Sequence, residues 1–104
     1  MVSNKLVRDR IPEIIRMAGR TCEAVVLSDA AYREALLVKL VEEAREVQAA
    51  QDGQIVTELA DVLEVLDALL AAHGISREVV LAEQERRRDE RGGFAQKLYL
   101  LRAE

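Results

Sequence analysis

Residues 39–50 read KLVEEAREVQAA and residues 55–72 read IVTELADVLEVLDALLAA, with QDGQ between them. These two stretches decide the fold. Each repeats apolar residues at intervals of three and four, the period of a helix that buries one face. Upstream of the first, Tyr32, Leu36, Leu40, Ala44 and Val47 lie on one stripe, and Ser28 or Asp29 is placed to cap its start. The second runs from Ile55 to His73 along Ile55, Leu59, Val62, Leu66 and Leu69, with Gly74 as its stop. A break as short as QDGQ joins helices that pack antiparallel, so the pair is expected to form a helical hairpin.

One residue does not suit a plain hairpin. At about 100° per residue, Leu36, Leu40, Glu43 and Val47 project within roughly 60° of one another, so Glu43 falls inside the apolar arc. Glu46 flanks it. On the second helix Glu58 and Asp61 repeat the i, i+3 spacing beside the apolar stripe, in a sector that continues into Val65. An antiparallel hairpin brings the two acidic pairs face to face, and like charges at close range in a half-buried site destabilise a fold. A divalent cation resolves the conflict. Carboxylate oxygens without cysteine or paired histidine nearby select magnesium or manganese over zinc or copper. The competing reading is a solvated acidic face, which accounts for surface glutamates but not for Glu43.

Outward from the hairpin, Pro12 suits the first turn of a helix that ends near Ala18, before Gly19. TCEAVVLS, residues 21–28, has β-branched residues without helical spacing and is expected to be extended. Ser76 caps a fourth helix running from Arg77 to Gly92-Gly93. The tail that follows carries Phe94, Leu98, Tyr99, Leu100 and Leu101, expected to dock it, extended, onto the body. The expectation is an all-α, four-helix-bundle-like domain spanning residues 1–104.

With 104 residues, half of them apolar, the chain can bury one modest core. Its net charge of −4 offers no general attraction to nucleic acid polymers or anionic membranes. Cys22 is the single cysteine and has no disulfide partner within the chain. No apolar run approaches the roughly 20 residues of a membrane span, and no signal-peptide core precedes the first helix. The expected setting is the cytoplasm.

EEAREV followed by ELADVLEVLDAL resembles the EExxE and ExxD signature of the all-α, MazG-like nucleoside triphosphate pyrophosphohydrolases, a superfamily that includes the phosphoribosyl-ATP pyrophosphohydrolases. NKLVRDRIPEII near the start and ERGGF near the end resemble a small single-domain branch of it. The resemblance implies Mg2+-dependent hydrolysis of a nucleotide between its α and β phosphates, giving monophosphate and pyrophosphate. It implies that Glu43, Glu46, Glu58 and Asp61 hold the metal. Glu42, with Glu43 a candidate catalytic residue, either orients or deprotonates the attacking water or pairs on the surface with Arg45 or Lys39. Lys5, Arg8 and Arg91 fall in the family-like motifs and are candidates for substrate phosphate or for structural ion pairs. For Arg86, Arg87 and Arg88 a solvated face complementing the helix dipole is the simpler expectation.

Two long helices do not complete a four-helix bundle, so either the first and fourth helices or a second subunit must supply the rest. A homodimer is the favoured expectation. Competing functions are a non-catalytic helical dimerisation module, which would show no saturable magnesium effect, and hydrolysis of a phosphoribosyl-nucleotide, which shares the chemistry.

Overall fold

The computed structural model describes residues 4–104. Four helices follow in order: α1 (Ile11–Met17), α2 (Asp29–Ala49), α3 (Ile55–Ala72) and α4 (Arg77–Arg91). No strand occurs among the described residues, and residues 21–28, expected to be extended, form neither helix nor sheet. The chain divides into two compact units, Met1–Gly74 and Ile75–Glu104.

The first unit is built on the hairpin. Ser28 caps α2 in extended backbone, its hydroxyl accepting the Ala31 N–H at 3.2 Å. This satisfies one of the donors left open at a helix start. Ala50 ends α2 in extended conformation, and Gly53 takes φ +88° in the turn, a left-handed value that a side chain disfavours. The chain then returns as α3, which packs along α2. Leu36 and Val65 are the buried apolar residues of this packing, and Glu43 is buried with them at 9% exposure. Ahead of the hairpin, Pro12 sits in the first turn of α1 as expected, and Cys22 is half-buried with its thiol 3.8 Å from the Pro12 carbonyl oxygen.

The orientation of α3 differs from the expected one. Leu59 and Leu66, assigned to the core stripe, are 47% and 39% exposed. Val62 and Leu69 of that stripe are half-buried, and the covered sector is shifted to take in Glu58, Asp61, Val65, Ala68 and Ala72, all buried or half-buried. The reason lies in composition. α3 is apolar over more than one sector, so periodicity alone does not choose which sector meets α2. The sector that does carries both acids.

In the second unit Ser76 caps α4, its hydroxyl accepting the Val79 N–H, and Gly92 closes it at φ +83°. Along its exposed surface Arg86 bridges Glu83 and Glu90, with 3.1 Å from Nε to Glu83 and 2.8 Å from Nη1 to Glu90. The tail that follows keeps Phe94, Leu98, Tyr99, Leu100 and Leu101 exposed, where docking had been expected.

Candidate metal centre

Three carboxylates converge on the inner faces of the hairpin. Glu43 from α2 and Glu58 and Asp61 from α3 each offer an oxygen, and these oxygens all lie within 4.8 Å of one another. The sequence dictates this locally. Position 43 shares the α2 face that buries Leu36, and positions 58 and 61, one turn apart, share the α3 face that buries Val65. Packing Leu36 and Val65 into the seam therefore carries all three acids in with them.

Such a group is electrostatically unfavourable, and the surrounding side chains reflect it. Glu58 is held above the ordinary carboxylate value of 4.5, first by desolvation and then by the negative charges of Glu46, Asp61 and Glu43. Two cations offset part of the repulsion. Arg8 donates from Nη2 to Asp61 Oδ1 at 2.6 Å, and Lys39 Nζ lies 3.4 Å from Glu43 and 3.6 Å from Glu42. Glu58 has no cationic partner among the described residues.

Glu46 stands apart from the three. It is exposed and, with Val38, Val41, Glu42 and Arg45, lines a shallow concavity on α2. Its charge still acts on Glu58. Glu42 also lies outside the convergent group and pairs with Lys39, one of the two alternatives open for it. Lys5 and Arg8 are exposed residues ahead of α1, whereas Arg91 ends α4 in the second unit. Arg86 is engaged by Glu83 and Glu90.

Two contacts were not legible as such. The Lys39–Glu43 pair has i, i+4 spacing, and that spacing is its sequence signal. The Arg8–Asp61 pair joins residues 53 apart, and no local pattern announces it.

Chemically, three carboxylates from two helices form a hard, all-oxygen donor set for a divalent cation such as Mg2+ or Mn2+. Soft thiolate or imidazole ligands are absent from the group. The donor chemistry therefore fits a divalent metal of this class. Among the described residues no helix is long and apolar enough to cross a membrane.

A family model described as phosphoribosyl-ATP pyrophosphohydrolase matches residues 15–88. That span contains Glu42, Glu43, Glu46, Glu58 and Asp61 and leaves Lys5, Arg8 and Arg91 outside it. An uncharacterized protein of Mycolicibacterium smegmatis is 56% identical over 46 residues, 44% of this chain and 47% of that relative. The chain thus matches about half the length of this curated relative. No solved structure matches the chain.

Proposed function

The chain belongs to the phosphoribosyl-ATP pyrophosphohydrolase family, within the MazG-like superfamily of enzymes acting on phosphoric anhydride bonds, and from that premise we propose Mg2+-dependent hydrolysis of a nucleotide between its α and β phosphates. The products are a monophosphate and pyrophosphate. The observation that carries this reading is the convergence of Glu43, Glu58 and Asp61 from two helices. An acidic seam would otherwise repel a polyphosphate.

Glu43, Glu58 and Asp61 would hold the metal, with Glu46 the fourth ligand that the family signature implies. When bound, the cation neutralises phosphate charge, polarises a phosphoryl oxygen and lowers the pKa of water. The chain's own residues supply the rest. Glu42, on the partly exposed side of α2, orients the attacking water or accepts its proton, which requires release from Lys39. Lys5, Arg8 and Arg91 are candidates for phosphate, a guanidinium offering paired N–H donors to its oxygens.

Residues 1–104 act in this reading as one domain in the cytoplasm, assembled as a homodimer. Leu59, Leu63 and Leu66 are 47%, 50% and 39% exposed on α3, and a second hairpin covering them would complete a four-helix bundle. A stable, active monomer by light scattering at micromolar concentration would refute the dimer.

Hydrolysis in oxygen-18 water tests the bond cleaved. Label is expected in the monophosphate, because water attacks the α phosphorus. Label in pyrophosphate, or release of orthophosphate, contradicts the mechanism. The family match favours a phosphoribosyl-nucleotide as a second substrate reading. A product screen over nucleoside triphosphates and phosphoribosyl-nucleotides separates the two.

A further inference from the structure

The ion pairs Arg10–Glu13, Lys39–Glu42, Lys39–Glu43, Arg86–Glu83 and Arg86–Glu90 each span a single helical turn, at i, i+3 or i, i+4 spacing. Arg8–Asp61 is different, because it ties the irregular segment ahead of α1 to α3 across 53 residues of sequence. Its geometry is that of a strong charge-assisted hydrogen bond, 2.6 Å from Nη2 to Oδ1. Its target is one of the three convergent carboxylates.

We propose that Arg8 is a built-in counter-cation of the carboxylate group, occupying Asp61 in the metal-free protein and giving it up when a divalent ion binds. This inference rests on the metal-site reading above.

The physical case is one of competition. Three carboxylates with oxygens within 4.8 Å of one another need positive charge nearby, and Lys39 answers only for Glu43. Arg8 answers for Asp61 from a side chain that is itself 57% exposed, so detaching it returns the guanidinium to water with little desolvation to reverse. A divalent ion at the same carboxylate raises the local positive charge to a level at which the guanidinium is repelled. A guanidinium so released stands beside a metal-loaded site with its N–H donors free for a phosphate oxygen, which suits the anionic ligand of the proposed reaction.

Arg8→Met and Arg8→Lys separate this role from that of a residue that merely orients Asp61. The probe is Mn2+ alone, with binding followed by electron paramagnetic resonance of the free ion. Removing a competing, partly screened charge should tighten Mn2+ binding by about threefold in R8M, with R8K between it and the wild type. The same R8M protein should melt at a lower temperature than wild type in EDTA, because the acidic group loses its counter-cation. Backbone amide exchange in residues 4–10 of the wild type should quicken on adding Mg2+, a readout that needs no variant to fold. Unchanged or weaker Mn2+ binding by R8M overturns the proposal, since a positioning role predicts weakening. So does amide exchange in residues 4–10 that is unchanged or slowed by Mg2+. If the wild type binds no Mn2+ saturably, the metal reading and this inference fall together, whereas wild-type binding without the R8M gain removes this inference alone.

Discussion

The α2–α3 seam and the exposed face of α4 are both rich in glutamate, yet they shift their acids in opposite directions. On α4 two acids have a cation within one turn: Arg86 sits between Glu83 and Glu90, and its hydrogen bond holds Glu83 below the ordinary carboxylate value. In the seam the acids face one another across two helices, and Glu58 is pushed up. Composition does not separate the two regions; neighbourhood does. A solvated helix face disposes of charge locally by i, i+3 and i, i+4 pairing, which is modest in energy and screened by water. The seam retains an uncompensated negative charge in a half-buried place, where folding alone gains nothing from it.

The largest expected effect comes from breaking the seam at its most buried acid. Glu43→Gln should lower pyrophosphohydrolase activity more than about 100-fold, above the range found for outer-shell partners of a metal. The metal-free fold should survive, because Lys39 keeps Glu42 as a partner at 3.6 Å and one repulsive charge is gone. Steady-state kinetics paired with thermal unfolding in EDTA would check both halves. An active variant would remove Glu43 from the centre of the site.

Next in size is the response to metal. At about a hundredfold over its Kd, Mg2+ should raise the melting temperature on the order of 10 °C, because it binds the folded seam and not the dispersed chain. Scanning fluorimetry against Mg2+, Mn2+ and Ca2+ measures this. A flat response to all three at tens of millimolar would reduce the seam to an ordinary acidic surface, equivalent to that of α4.

The pH dependence of stability sharpens the contrast. Glu58 has its folded pKa above the ordinary 4.5, so the folded state holds the proton longer than the unfolded one. Metal-free stability should therefore fall as pH rises from near 4.5 through the raised value, then level off. Glu58→Gln should abolish that component and raise the metal-free melting temperature at neutral pH. Glu83 should behave in the opposite sense: its folded pKa lies below 4.5, so its contribution is present above that value and lost as pH falls through the lowered one. Glu83→Gln should lower the melting temperature, and by the least of these effects, because the pair it breaks is exposed and screened. Melting curves of the two variants from pH 3 to 8 should diverge in sign. Parallel curves would dissolve the distinction between the regions.

Much of this was legible in the sequence. The breaks at Gly19, QDGQ and Gly92-Gly93 and the caps at Ser28 and Ser76 come from backbone rules that act over a few residues, and the helices begin and end there. The anomaly at position 43 was legible for the same reason, since helical period alone places it with Leu36. Glu46 was less so. Its spacing from Glu43 equals that of Asp61 from Glu58, but it is exposed and outside the convergent group, although its charge leads those that raise Glu58.

Local periodicity thus determined four helices, a hairpin and a glutamate that does not suit a solvated face. Tertiary packing decided the rest. Because α3 is apolar on several sectors, only contact with α2 selected the one bearing Glu58, Asp61 and Val65 and left Leu59 and Leu66 exposed. Because Arg8 and Asp61 are 53 residues apart, only the folded chain could bring guanidinium to carboxylate. Helical period is a property of neighbours in sequence, while the charge a carboxylate feels depends on neighbours in space, and the two coincide only within a turn or so of helix.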